Sequence, residues 1–212
     1  MIKNILCFGD SNTWGLNPQT GKRFDESIRW SALLATKLGS AFKVIEAGQP
    51  NRTLVNNPPF NGLVSGVSYL KPYLEKYSLD VIIIALGTND LKKRFNLAPI
   101  QIAQGLDDLI GDIENFYGVS NHPKIIVLAP AYVECVGAYK HVYEGSEHKN
   151  HSLSKHFKRV ALNKDALFYD LQSVANVSPA DGVHICSEGH RSVADAVFKI
   201  INGNKYLDWH VI

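Results

Sequence analysis

The stretch Cys7-Phe8-Gly9-Asp10-Ser11-Asn12-Thr13-Trp14-Gly15 decides the reading of this chain. It continues an apolar run over residues 2–8 that only Lys3 and Asn4 interrupt. Such a run, closed by Gly-Asp-Ser, reads as a strand that turns sharply at its carboxyl end and leaves one serine hydroxyl exposed. In an open parallel α/β sheet, the crevice outside the carboxyl ends of the strands is where ligands bind. A serine there is a weak nucleophile unless the chain also supplies a base, an acid to orient that base, and donors for an oxyanion.

Further strands of the same kind follow. Residues 81–86 (VIIIAL) and 125–129 (IIVLA) are continuous apolar runs, the pattern of parallel strands buried on both faces. Residues 42–47 (FKVIEA) and 167–171 (LFYDL) are weaker strands of mixed polarity. Helices fall between them. One is expected over 28–38, capped by Asp25-Glu26-Ser27. Another spans 99–117, with Pro99 at its first position and a stripe of Ile102, Leu106, Leu109, Ile113 and Phe116 facing a core. A third spans 187–201, with Glu188 in its first turn and Gly203 just beyond its end. Weaker helical patterns cover 67–76 and 152–163. The alternation predicts an α/β three-layer sandwich with a five-stranded, mostly parallel sheet, flavodoxin-like in its order 2-1-3-4-5. No linker divides the chain, so residues 1–212 read as a single domain.

Composition narrows the function classes. The chain has 212 residues, 45% apolar and 20% charged, enough for one sizeable core. A net charge of +2 gives no reason to expect nucleic acid or an acidic membrane surface as partner. No run approaches the ~18 apolar residues of a membrane span, and no secretory leader is expected. The three cysteines, Cys7, Cys135 and Cys186, are widely spaced and form no Cys-x-x-Cys pair. That argues for a reduced, cytoplasmic protein without disulfides or a zinc site. Neither G-x-G-x-x-G nor G-x-x-x-x-G-K-[ST] occurs, which disfavours a nucleotide site.

Two long connections leave the carboxyl ends of strands, on the same edge as Ser11. One is 48–65. The other is 130–151, which carries Tyr132, Tyr139, His141, Tyr143, His148 and His151. The histidine spacing there matches no standard metal set. On the same edge lie Gly48-Gln49-Pro50-Asn51-Arg52-Thr53, Gly87-Thr88-Asn89-Asp90 and Asp181-Gly182-Val183-His184. Strands one and three are neighbours at the switch point of a 2-1-3-4-5 sheet, which sets Ser11 beside Asn89. Asp10 reads as a turn residue, Arg52 as one half of a structural ion pair, and Cys186 as packing behind the final loop.

The four blocks GDSNTWG, EAGQPNRT, GTND and DGVH, in that order over essentially the whole chain, resemble the SGNH hydrolases, or GDSL esterase/lipase family. Asn12 stands where many members carry Leu. ILCFGDSNTWG, RWSALLATKLG and VIIIALGTNDLKKRF look most like the arylesterase and acyltransferase branch. The resemblance implies Ser11 as nucleophile, His184 as base and Asp181 as its orienting acid. It implies three oxyanion donors: the Ser11 backbone N–H, a backbone N–H of the glycine block, and the Asn89 side-chain amide. The second donor is Gly48 or Asn51. Asn51 is favoured, because Asn tolerates left-handed backbone, with Gly48 then serving the turn. Asn12, Trp14 and Gly48 are candidate substrate-pocket residues. The chain order Ser, Asp, His is that of α/β-hydrolases, but G-x-S-x-G is absent, which disfavours their nucleophile elbow.

The expected activity is hydrolysis of small acyl esters, acetyl esters among them, through an acyl-enzyme without cofactor or metal, alongside acyl transfer. The alternatives are deacetylation of carbohydrates, thioester hydrolysis, or a non-catalytic binding module on the same fold. The acyltransferase branch includes oligomers, so the 130–151 segment is also a candidate contact in a homo-oligomer.

Overall fold

The computed structural model describes residues 2–55, 66–118 and 120–203. Five parallel strands form one sheet: β1 (Lys3–Gly9), β2 (Phe42–Gly48), β3 (Val81–Ala85), β4 (Lys124–Ala129) and β5 (Leu167–Asp170), in the order β2-β1-β3-β4-β5. The central β1 pairs along both edges, Gly9 lying opposite Gly48 on one side and Ala85 on the other. Three strand ends therefore meet where Gly-Asp-Ser begins.

Side chains alternate across the sheet and feed two cores. Leu6, Phe8, Ile82, Ile84, Ile125 and Val127 pack on one face against α3 (Gly66–Lys76), α4 (Pro99–Tyr117) and α5 (Glu147–Asn163). Ile5, Cys7, Val81, Ile83, Ile126 and Leu128 pack on the other against α2 (Trp30–Leu38) and α6 (Ser187–Gly203). Continuous apolar runs in the central strands are the consequence, since neither face meets water. A short α1 (Ser11–Trp14), unforeseen from the sequence, follows β1 directly.

Four local expectations are corrected. The helix expected over 28–38 begins at Trp30, and Asp25-Glu26-Ser27 do not cap it. The Asp25 carbonyl instead accepts the N–H groups of Ile28 and Arg29 in a turn. The Trp30 N–H finds His190 Nδ1 at 3.3 Å, and Arg29 grips Glu46 on β2 through Nε and Nη2 at 3.0 and 2.9 Å. Phe116 is not part of the buried stripe of α4; it is 43% exposed, while Ile102, Leu106, Leu109 and Ile113 are buried. The helix expected over 152–163 starts at Glu147. Its first turns are anchored by polar contacts, such as Asn150 Nδ2 to the Val133 carbonyl at 2.9 Å, so no apolar period marks them. Arg52 forms no ion pair among the described residues, as detailed below. In the 48–65 connection, residues 56–65 lie outside the described residues.

His190 gives the fold a pH response. It is fully buried on α6, and burial, then the positive charges of Arg29 and His184, push its pKa down to about 4. A histidine titrates near 6.5 when unfolded. Its stabilising contribution is thus complete above about pH 6.5 and lost as the pH falls toward 4, up to about 3 kcal/mol in all. Urea unfolding at pH 7, 5.5 and 4 should show wild type losing that much more stability than His190→Asn, whose amide keeps an acceptor near the Trp30 N–H.

Candidate active site

Each block of the site is fixed where a strand ends. After β1, Asp10 caps α1, its Oδ1 accepting the Asn12 N–H at 2.8 Å. This seats Ser11 as the first residue of the helical turn, 5% exposed. Asn12 turns away and bridges to the far end of the chain. Its Nδ2 donates to the Val183 carbonyl at 3.3 Å, and its Oδ1 accepts the Ile185 N–H at 2.9 Å. The two residues flanking His184 are thereby tied to the residue after Ser11.

After β2, the chain crosses α1 so closely that a Cβ on Gly48 would lie 2.1 Å from the Trp14 backbone nitrogen. Only glycine fits there. Asn51 adopts φ +66°, the left-handed conformation expected for it. Arg52, 4% exposed, turns inward. Its Nη1 donates to the carbonyls of Gly9 and Ala47, its Nη2 to Gln49 Oε1, and its guanidinium lies 4.1 Å from the centre of the Phe8 ring. Burial pulls its pKa down to about 10, which leaves it charged at neutral pH.

After β3, the Asn89 Nδ2 donates to the Arg52 carbonyl at 3.0 Å. Asp90 takes the Leu54 and Val55 N–H groups at 2.9–3.0 Å, which anchors the strand-two loop to the strand-three turn. Burial raises the Asp90 pKa to about 6 against the pull of those N–H groups.

The last block is a tight loop. Asp181 Oδ1 accepts the N–H groups of Val183 and His184 at 2.9 and 3.0 Å, while Oδ2 lies 2.7 Å from His184 Nδ1. Burial would raise the Asp181 pKa, but the hydrogen bonds from His184 and the two backbone N–H groups outweigh it and hold the carboxyl below its usual range. With its proton on Nδ1, the imidazole accepts the Ser11 hydroxyl at Nε2, 2.8 Å away. Ser11, His184 and Asp181 are 5%, 5% and 2% exposed. The sequence separates Ser11 from His184 by 173 residues; the sheet edge brings them into contact.

The 130–151 segment closes over this loop. Glu134 N–H donates to the Gly182 carbonyl at 2.8 Å and Ala138 N–H to the Ala180 carbonyl at 3.0 Å. It delivers Tyr139, whose ring meets His184 edge-on at 5.9 Å, and Tyr143, whose hydroxyl donates to Asn89 Oδ1 at 3.3 Å. Burial, first among several causes, raises the Tyr143 pKa well above normal, so that hydroxyl keeps its proton. The Asn89 amide is thus held at both ends.

Ser11, Asn51, Asn89 and His184 line one cleft of about 250 Å³, together with Lys92, Arg94, Tyr139 and Tyr143. Three residues expected in the pocket lie elsewhere. Asn12 braces the His184 loop, Gly48 packs on the α1 backbone, and Trp14 stacks near Arg23 at 5.7 Å. Sequence reasoning missed Lys92 and Tyr143 as site residues. Lys92 follows Asn89 by three positions, on the same turn, which was the available signal. Cys186 lies behind the loop, its sulfur accepting the Gly189 N–H at 3.4 Å. Among the described residues no three His, Cys, Asp or Glu side chains converge to hold a metal, and no helix is long and apolar enough to cross a membrane.

The sequence signature of GDSL-like lipases and acylhydrolases matches residues 7–192, which include all four blocks. The chain belongs to the GDSL-like lipase/acylhydrolase family. Solved members share its whole architecture. The inhibitor-bound aryl esterase of M. smegmatis is 32% identical, with a TM-score of 0.87 over 95% of this chain and 99% of that one. A carbohydrate acetylesterase from Sinorhizobium meliloti is 29% identical, with a TM-score of 0.88 over the same shares. A G-D-S-L protein from Veillonella parvula, 14% identical with a TM-score of 0.69 over 94% of this chain and 98% of that one, shares the fold. None of the curated proteins compared by sequence matches the chain.

The Asn12 bridge is testable without substrate. Asn12→Ala removes both contacts and leaves the Ile185 N–H and the Val183 carbonyl to find other partners. The expected cost is about 1–3 kcal/mol in urea unfolding. Hydrogen exchange at Ile185 should accelerate, with little change on the opposite face of the sheet.

Proposed function

We propose that the chain is one serine hydrolase domain, residues 1–212, that cleaves small acyl esters through an acyl-enzyme. The observation that carries this reading is the continuous line Ser11 Oγ, His184 Nε2, His184 Nδ1, Asp181 Oδ2, with contacts of 2.8 and 2.7 Å. His184 takes the Ser11 proton as Oγ attacks the carbonyl carbon, and Asp181 stabilises the imidazolium that forms. Collapse of the tetrahedral intermediate expels the alcohol, which leaves with that proton. Water then repeats the sequence in reverse and frees the carboxylic acid. An alcohol in place of water would give acyl transfer.

The developing oxyanion needs donors already in position. The backbone N–H of Ser11, the backbone N–H of Asn51 in its left-handed turn, and the second N–H of the Asn89 amide are the proposed set. Tyr143 and the Arg52 carbonyl orient that amide, so little reorganisation is required when charge appears. Asp10 serves as a helix cap rather than as a proton carrier, in keeping with its bond to the Asn12 N–H.

The cleft, about 250 Å³, suits small acyl groups such as acetyl. Its mixed polar and aromatic lining, together with the likeness to a carbohydrate acetylesterase, supports acetylated sugars as a second substrate class. Three free cysteines fit a reducing compartment.

The test is turnover of p-nitrophenyl acetate and labelling by a fluorophosphonate probe. Ser11→Ala should lose both while keeping the wild-type melting curve. Turnover retained by that variant would sink the nucleophile assignment, and a folded wild type that neither turns over nor labels would favour a binding module. Asn89→Ala should lower kcat by about 10²–10³ with a smaller change in KM, the signature of a lost oxyanion donor.

A further inference from the structure

Lys92 is a buried cation that forms no ion pair among the described residues. It is 7% exposed, and its ammonium donates to Asn51 Oδ1 at 2.7 Å. No carboxylate lies within 4 Å of it among the described residues, and its other two N–H groups have no protein partner there. Buried charges in folded proteins are ordinarily paired, because leaving water costs several kcal/mol per ion. Lys92 instead lines the cleft that holds Ser11 and His184. Arg94, resting on Phe95 at 4.8 Å, lines the same cleft. No Asp or Glu does. The acids whose charge reaches it are Asp10 and Asp90, and neither forms an ion pair with it: Asp10 accepts the Asn12 N–H as the cap of α1, and Asp90 accepts the Leu54 and Val55 N–H groups.

On the proposed hydrolase reading, we infer that this cleft selects esters that carry a carboxylate, with Lys92 as the principal anion contact and Arg94 as a second contact at the rim. Lys92 lines the space a substrate occupies and has donors to spare, so an anionic group there supplies the missing partner. Burial first, and Arg94 second, lower the Lys92 pKa to about 8, against the opposing pull of Asp10 and Asp90. It remains largely charged at neutral pH, and a bound carboxylate would relieve part of that penalty. A purely structural lysine, present only to hold Asn51, would affect every ester alike. An anion contact discriminates.

The carboxylate could sit on the acyl or the alcohol part of the ester, and matched substrate pairs separate the two. The acyl pair is mono-4-nitrophenyl adipate against 4-nitrophenyl hexanoate. The alcohol pair is 4-acetoxybenzoate against its methyl ester. In wild type, kcat/KM for the anionic member of one pair should exceed that of its neutral twin roughly 10- to 100-fold, the discrimination a charge-assisted hydrogen bond supplies. The pair that shows the preference identifies which part of the ester Lys92 reads. In Lys92→Met the ratio should fall to about one, chiefly through KM, and in Arg94→Gln it should fall partway. The inference is overturned if neither anionic ester is preferred by wild type. It is also overturned if the ratio survives Lys92→Met, or if that variant slows both members equally. Should Lys92→Met fail to fold, the wild-type pairs and Arg94→Gln decide. Activity on neutral esters without anion preference sinks this inference alone; inactivity on all four esters sinks the hydrolase reading beneath it.

Discussion

The guanidinium of Arg52 holds the strand ends together. Where β1 and β2 end, Arg52 donates to the carbonyls of Gly9 and Ala47, in addition to the Gln49 N–H that the Gly9 carbonyl already accepts at 3.1 Å. Among the described residues it forms no ion pair, and it stacks on Phe8 from the core beneath. Hydrogen bonds from a charged donor contribute about 1.5–3 kcal/mol each, so the two ends cannot separate cheaply. The same residue offers its carbonyl to the Asn89 amide, which links the second block of the site to the third. Asp90 completes the link by gripping Leu54 and Val55 just beyond. Ser11, Asn51 and Asn89 hold their relative positions because backbone groups near them are tied to one another.

Three buried carboxylates near the site show how environment divides labour among like groups. Asp181 accepts two backbone N–H groups and the His184 ring, and these hold its pKa low despite burial. Asp90 accepts backbone N–H groups alone, and burial wins, raising its pKa to about 6. Asp10 has one such bond, to Asn12, and burial again raises its pKa. The acid that faces an imidazole is the one whose pKa is held down, as its proposed role requires. The other two secure turns. Lys92 and Arg52 are the buried cations near the site that meet only neutral acceptors among the described residues.

The strands were legible because parallel strands buried on both faces are written as apolar runs. VIIIAL and IIVLA lie within a residue of β3 and β4. Helix starts were less legible. Pro99 marks the start of α4, since its ring fits a first helical position. Trp30 and Glu147 carry no such mark; their helices begin where His190, Val133 and Cys135 happen to provide partners. Arg52 misled for a related reason. An arginine beside a strand end suggests an ion pair, and only the fold reveals two strand-end carbonyls within its reach.

The order of strands and the four short blocks were therefore determined by local composition: apolar runs, turn residues, and a serine, an asparagine and a histidine placed after them. From these followed the sheet, its switch point, and the meeting of Ser11 with Asn89 and His184. The tertiary structure alone decided which neighbours serve the site. Asn12 became a brace, Gly48 a crossing point for two backbones, Tyr143 a clamp on Asn89, and Lys92 a buried charge lining the cleft. Those roles depend on distances between segments up to 173 residues apart. Hydrogen bonds and charges act over a few ångströms in space, and sequence separation does not specify that distance.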